Sequence, residues 1–146
     1  MDKIEKISRR RKEAHAKLQS LKSKVYQAFL HVEEAAFSDG ALPKKTKELI
    51  AVGIAVKTDC ESCMQWHIDQ AAGAGATMRE VLEAVEVGIE MGGGPATVSA
   101  RFALEVLRRR HHDGLHAAVR KVARYPDRRV PAPRRIHGAP GRAAGA

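Results

Sequence analysis

The sequence predicts an all-α protein, and three observations point there. Aromatic residues make up only 4% of the 146 residues and alanine and leucine carry the apolar positions, which suits close-packed helices better than a sheet. Apolar residues recur at spacings of three and four along most of the chain, the period of one helical face. Prolines, glycines and Ser/Thr-x-x-Glu capping signals punctuate these stretches, and neither a strand-helix-strand pattern nor an internal repeat is visible. With 44% hydrophobic residues, five or six helices can share one core.

Taken in order, Leu18, Leu21, Val25, Ala28, Val32 and Ala36 keep one stripe, so the spacing predicts a single long amphipathic helix over 3–37. Ile4 and Ile7 begin it, the run Arg9-Arg-Arg-Lys12 is weakly apolar, and Ser38-Asp-Gly40 ends it. Pro43 suits the first turn of a helix over 44–56. Leu49, Ile50, Val52, Gly53 and Ile54 make that helix apolar on most sides, which places it centrally. Thr58 and Glu61 read as a capping box opening a helix over 59–74, stopped by Gly73 and Gly75. Thr77 and Glu80 read as a second box, opening a helix through Val81, Leu82, Val85, Val87, Ile89 and Met91. Gly92 to Gly94 should break the chain, and Pro95 should start a helix over 96–110 with Val98, Phe102, Val106 and Leu107 inward. A short helix over 115–124 completes a single domain over 1–125. Residues 126–146, rich in Pro, Gly, Ala and Arg, are predicted to be a disordered tail.

Charge divides at nearly the same place. Residues 1–107 hold fifteen Lys and Arg against fifteen Asp and Glu, so residues 108–146, with eleven against two, carry the whole net charge of +9. Clustered arginines attract nucleic acid without sequence preference, but no aromatic stacking residue accompanies them after Tyr125, and a solvated extension is the better reading. No apolar run approaches the roughly 18 residues that span a membrane, and the charged first residues do not resemble a signal peptide. The expectation is a cytoplasmic protein without a membrane partner.

Both cysteines fall in Thr58-Asp-Cys-Glu-Ser-Cys-Met-Gln-Trp-His67. In a chain read as cytoplasmic, a Cys-x-x-Cys pair favours redox chemistry or metal binding over a structural staple. Both thiols lie near a helix N-terminus, where unpaired N–H groups and the helix dipole favour thiolate over thiol. Cys60, Cys63 and His67 follow one another at three and four residues, along one helical face. If the preceding helix folds back near Lys57, Glu48 and His67 each lie about 14 Å from the turn and face one another. The order is then carboxylate, imidazole, thiol. Other readings are weaker. Two buried small hydrophobes would leave the histidine and the carboxylate unexplained, and structural zinc wants four ligands. Met64 after Cys63 excludes a c-type haem, and an apolar helix before the motif disfavours a thioredoxin fold. Trp66 reads as packing or interface. His112 and His116 share a helical face that could suggest metal, which Gly114 between them weakens. His111 adjoins them.

Glu48 followed by Cys60-x-x-Cys63-x-x-x-His67 resembles the signature of the alkyl hydroperoxidase D and carboxymuconolactone decarboxylase family. The resemblance spans about residues 41–107 and includes Leu42-Pro-Lys-Lys-Thr-Lys-Glu-Leu-Ile50 and Met91-Gly-Gly-Gly-Pro-Ala96. Ser62 departs from it, since alkyl hydroperoxidase D proteins typically carry histidine there; the decarboxylases proper generally lack the cysteine pair. The resemblance implies a helical bundle whose central antiparallel hairpin carries the motif, assembled as a homo-oligomer, a trimer or hexamer. It implies thiol-dependent reduction of a peroxide substrate without metal or organic cofactor. Cys63 would be the peroxidatic thiol, His67 the base, Glu48 its orienting carboxylate and Cys60 the resolving thiol, with an external dithiol as reductant. The alternatives are a disulfide reductase or electron relay without peroxide chemistry, a decarboxylase-like enzyme, and a binding protein whose basic tail contacts nucleic acid.

Overall fold

A computed structural model describes residues 1–112. The predicted helix over 115–124, the tail over 126–146 and His116 lie outside the described residues. Five helices follow in order: α1 (Lys3–Ser20), α2 (Lys24–Phe37), α3 (Lys44–Lys57), α4 (Glu61–Gly73) and α5 (Met78–His112). Among the described residues there is no strand, so the fold is the all-α bundle that the sequence predicts.

The single helix predicted over 3–37 is two. Ser20 Oγ donates to Lys17 O at 2.8 Å, closing α1. Lys22 takes a left-handed φ of 51°, and Ser23 caps α2 by accepting from Tyr26 N–H at 3.2 Å. The apolar stripe runs numerically through this break, so periodicity could not show it. The signal was the serine pair, whose hydroxyls offer the backbone partners that compete with the helical ladder. His15 Nδ1 and Tyr26 Oη, 2.8 Å apart, tie the two helices together.

The core lies where α3 packs on α4 and α5. Val52, Ala55 and Val56 of α3 meet Met64, Ile68 and Ala71 of α4 and Val81, Val85, Ala100, Ala103 and Val106 of α5. Helix α3 is central, though Ile50 and Ile54 are half exposed, at 49% and 56%. Helix α1 buries only Ile4 there, and α2 buries nothing. Salt bridges dock α1 instead: Lys3 to Glu61 at the start of α4, and Arg109 of α5 to Asp2 and to Glu5. Among the described residues no helix is long and apolar enough to cross a membrane.

The predicted break at 92–94 falls on Gly93, whose φ of 64° and ψ of −152° interrupt α5 just before Pro95. The Thr77–Glu80 capping box also forms: Thr77 N–H donates to Glu80 Oε2 at 2.7 Å, and Glu80 N–H donates to Thr77 Oγ1 at 3.2 Å. Lys45 Nζ reaches the same carboxylate across from α3 at 2.8 Å. This ammonium, with the Thr77 donors, pulls Glu80 from an ordinary 4.5 down to about 2. A depressed carboxyl stabilises the fold above its unfolded value, so this bridge holds at neutral pH and is lost as pH falls from about 4.5 toward 2.

Helices α3 and α5 meet backbone to backbone at Gly53 and Gly88. A Cβ at Gly88 would lie 2.6 Å from the Gly53 carbonyl oxygen and 2.9 Å from Val56 Cβ. Gly88→Ala must therefore push α5 away from the helix that carries Glu48. It should destabilise the protein by about 1–3 kcal/mol in urea unfolding, the cost of overpacking a tight core. Gly73→Ala, with nothing within 4 Å of the new carbon, should not destabilise it.

Candidate redox site

The chain reverses between α3 and α4 through only Thr58, Asp59 and Cys60, and that turn sets the site. Thr58 does not cap the cysteine helix as the sequence suggests. It ends α3, its Oγ1 donating to Ile54 O at 2.9 Å. Asp59 is left-handed, with φ of 53°, and Cys60 is the first extended residue, with φ of −97° and ψ of 90°. So short a turn uses the threonine hydroxyl to close the outgoing helix before the next can begin. Cys60 is thus itself the N-cap of α4, and its Sγ accepts from Cys63 N–H at 3.3 Å. Both sulfurs sit at the positive end of the helix, Cys60 at the cap and Cys63 in the first turn. A disulfide joins them, with the Cα atoms 5.2 Å apart.

One turn beyond Cys63, His67 meets Glu48 across the hairpin. His67 Nδ1 and Glu48 Oε2 are 2.8 Å apart, with side-chain exposures of 17% and 3%. A carboxylate only accepts, so Nδ1 is the donor in this pair, and the Nε2 lone pair is the one an uncharged imidazole has left to offer. Glu48 is buried although Lys45 and Lys47 flank it in sequence. Those lysines are engaged elsewhere, Lys45 with Glu80 and Lys47 with the Ser38 carbonyl. The structure therefore pairs Glu48 with His67 across facing helices and Cys60 with Cys63 at the start of α4, with His67 one turn beyond Cys63 on the same helix. Ser62, between the cysteines, is exposed.

Three further side chains reach this region without having been singled out in the sequence. The Phe37 ring, at the end of α2, stacks on the His67 imidazole with centroids 5.2 Å apart and planes inclined by 26°. One turn earlier on α2, Glu33 Oε1 accepts from Trp66 Nε1–H at 3.2 Å. The Arg11 guanidinium of α1 lies 4.1 Å from the centre of the Trp66 ring. Burial lowers the pKa of Arg11, against the opposing charges of Asp69 and Glu33. Trp66 is thus packing, as its type suggested. The available signal was the four-residue spacing of Glu33 and Phe37, off the stripe of Val25, Ala28, Val32 and Ala36.

Among the described residues no group of three or more His, Cys, Asp or Glu side chains is placed to hold a metal ion. The His112–His116 pair extends outside those residues. A cavity of about 390 Å³ lies between α1, α4 and α5, with Gln65, Asp69 and Arg110 in its wall. It contains none of the four site residues, because Gln65 and Asp69 face away from Cys63 and His67 on α4.

Residues 23–106 match the sequence profile of the carboxymuconolactone decarboxylase family, a span that includes Glu48, both cysteines and His67. An uncharacterised protein of the cox locus of Paracoccus denitrificans is 45% identical over 80 residues, 55% of this chain and 72% of that protein. An uncharacterised protein of Cupriavidus necator is 46% identical over 77 residues, 53% of this chain and 68% of its own length. A crystal structure of a carboxymuconolactone decarboxylase family protein from Legionella pneumophila superposes with a TM-score of 0.71 at 36% identity, covering 75% of this chain and 97% of that one. A family protein from Thermotoga maritima, for which involvement in an antioxidative response has been suggested, gives 0.67 at 24% identity over 81% and 95% of the two chains. At that identity the likeness is one of fold.

The burial of Glu48 sets a measurable cost. His67→Ala leaves a carboxylate only 2% exposed without this hydrogen bond, which should cost about 1–3 kcal/mol in urea unfolding at pH 7. His67→Gln, whose amide can donate, should recover part of the loss. An unchanged stability in His67→Ala would mean that the carboxylate finds another partner at no cost.

Proposed function

The chain belongs to the carboxymuconolactone decarboxylase family, and from that premise we propose that it is a thiol-dependent peroxidase of the alkyl hydroperoxidase type. The observation that carries this reading is the buried Glu48–His67 hydrogen bond one helical turn from a Cys-x-x-Cys disulfide. A structural disulfide needs neither an oriented imidazole nor a buried carboxylate behind it. A thiol deprotonated by an oriented general base uses both.

In the reduced protein, Nε2 of His67 accepts the Cys63 proton, while Glu48 holds Nδ1–H and stabilises the imidazolium. The Cys63 thiolate attacks one peroxide oxygen. The S–O bond forms as the O–O bond breaks, and the departing alkoxide takes the proton from His67 to leave as an alcohol. Cys63 is then a sulfenic acid. Cys60 attacks that sulfur, the S–S bond forms, and hydroxide leaves with the Cys60 proton as water. One peroxide and two thiols become an alcohol, water and the disulfide. An external dithiol returns the pair to the reduced state by exchange, becoming a disulfide itself. With serine at position 62, this scheme assigns proton transfer to His67 and Glu48 alone.

The N-cap position of Cys60 supports its resolving role, because the Cys63 N–H bond keeps its sulfur beside the atom it must attack. The exposed apolar face of α2, where Val25, Phe29 and Val32 are 82%, 57% and 64% accessible, supports a homo-oligomer in which a second copy covers it.

Thiol counting tests the reading. One equivalent of an alkyl hydroperoxide should consume two thiols per chain and close the Cys60–Cys63 bond. Cys60→Ser should consume one peroxide and accumulate a sulfenic acid at Cys63 that dimedone traps. Both thiols surviving excess peroxide would end the proposal, and closure only by exchange with another protein's disulfide would make the pair an electron relay. Trapping at Cys60 in Cys63→Ser, with none at Cys63 in Cys60→Ser, would reverse the two roles.

A further inference from the structure

Two residues one turn apart on α2 meet two consecutive residues of α4: Glu33 accepts from Trp66, and the Phe37 ring lies flat on His67. Helix α2 contributes no side chain to the core, so these contacts have no part in core packing. They bear on a degree of freedom that Glu48 leaves open. One hydrogen bond at Nδ1 fixes where that nitrogen sits, but the imidazole can still swing about its soft terminal torsion, and Nε2 swings with it. A ring stacked face to face at 5.2 Å and 26° holds the imidazole plane.

We infer that Phe37 is a positioning residue for the redox pair. Its ring fixes the plane of His67, and so the direction in which Nε2 presents its lone pair along α4. Glu33 and Trp66 set the axial register of α2 that brings Phe37 there, and Arg11 covers the Trp66 ring from α1. Glu48 and Phe37 divide the task. The first chooses the nitrogen and the second the angle, and only together do they specify one imidazole geometry. The inference deepens the peroxidase reading and rests on it for its catalytic consequence.

The test uses the reduced full-length chain carrying Cys60→Ser, so that Cys63 is the one thiol, and it contains no peroxide. The ring protons of His67 should resonate upfield under the Phe37 ring current. Phe37→Leu keeps an apolar side chain but has no flat face. It should lose the upfield shift and slow alkylation of Cys63 by iodoacetamide at pH 7 about tenfold, the scale of a misplaced catalytic group. Phe37→Tyr should keep the shift and react within about twofold of the parent. On the Trp66 side, Glu33→Gln retains an acceptor and should leave the His67 resonances in place, whereas Glu33→Ala should move them. A Phe37→Leu protein that alkylates at the parent rate, a Phe37→Tyr protein as slow as Phe37→Leu, or unmoved His67 resonances in Glu33→Ala would overturn the inference. Because peroxide is absent, these outcomes stay separate from whether peroxide oxidises the thiols.

Discussion

The buried hydrogen bond between Glu48 and His67 is the constraint to which the central hairpin answers. A carboxylate this deep is tolerable only with a partner held in place, and the partner belongs to a different helix, so α3 and α4 must lie antiparallel at a fixed phase. The turn at Thr58, Asp59 and Cys60 supplies that phase. It spends the threonine hydroxyl on α3, uses a left-handed aspartate to reverse direction, and opens α4 on a cysteine. Behind the hairpin, the glycine contact of α3 with α5 lets a third backbone brace the helix that carries Glu48.

The same turn separates the surroundings of the two sulfurs. Cys60 occupies the place usually taken by Ser, Thr, Asp or Asn, and its sulfur accepts the backbone N–H of Cys63. Cys63, in the first turn, packs against the core and has His67 one turn ahead on its own face. Backbone donors favour an anion at either position, but Cys63 stands one turn from His67 along α4 and Cys60 about two. That asymmetry gives a physical ground for treating the two cysteines as different reactants.

Much of this was legible in the sequence because it is local or periodic. The spacing of Cys60, Cys63 and His67 follows from one helix, the facing of Glu48 and His67 from the length of a hairpin, and the Gly92–Gly94 break and the Thr77–Glu80 box from backbone chemistry. The misses share a cause. The break at Lys22 lay under an apolar stripe that kept its count through the turn, and Thr58 with Glu61 satisfied a capping pattern while a shorter turn required the hydroxyl elsewhere. In both cases two local signals competed, and tertiary geometry chose between them. The four-residue spacing of Glu33 and Phe37 shows only that they share a face of α2; what that face and Arg11 meet depends on how α1 and α2 lie across α4. No spacing within a single helix encodes that.

The central claim is that Glu48 acts through His67 on Cys63. A double-mutant cycle in the Cys60→Ser background tests it most directly, reading the rate at which Cys63 consumes an alkyl hydroperoxide. His67→Ala should slow that rate by about 10²- to 10⁴-fold, the span of general base catalysis. Adding Glu48→Gln to His67→Ala should then cost no more than about twofold, since the carboxylate has no imidazole left to orient. Losses that multiply in the double variant would contradict the account, because Glu48 would then influence Cys63 by a route that does not pass through His67.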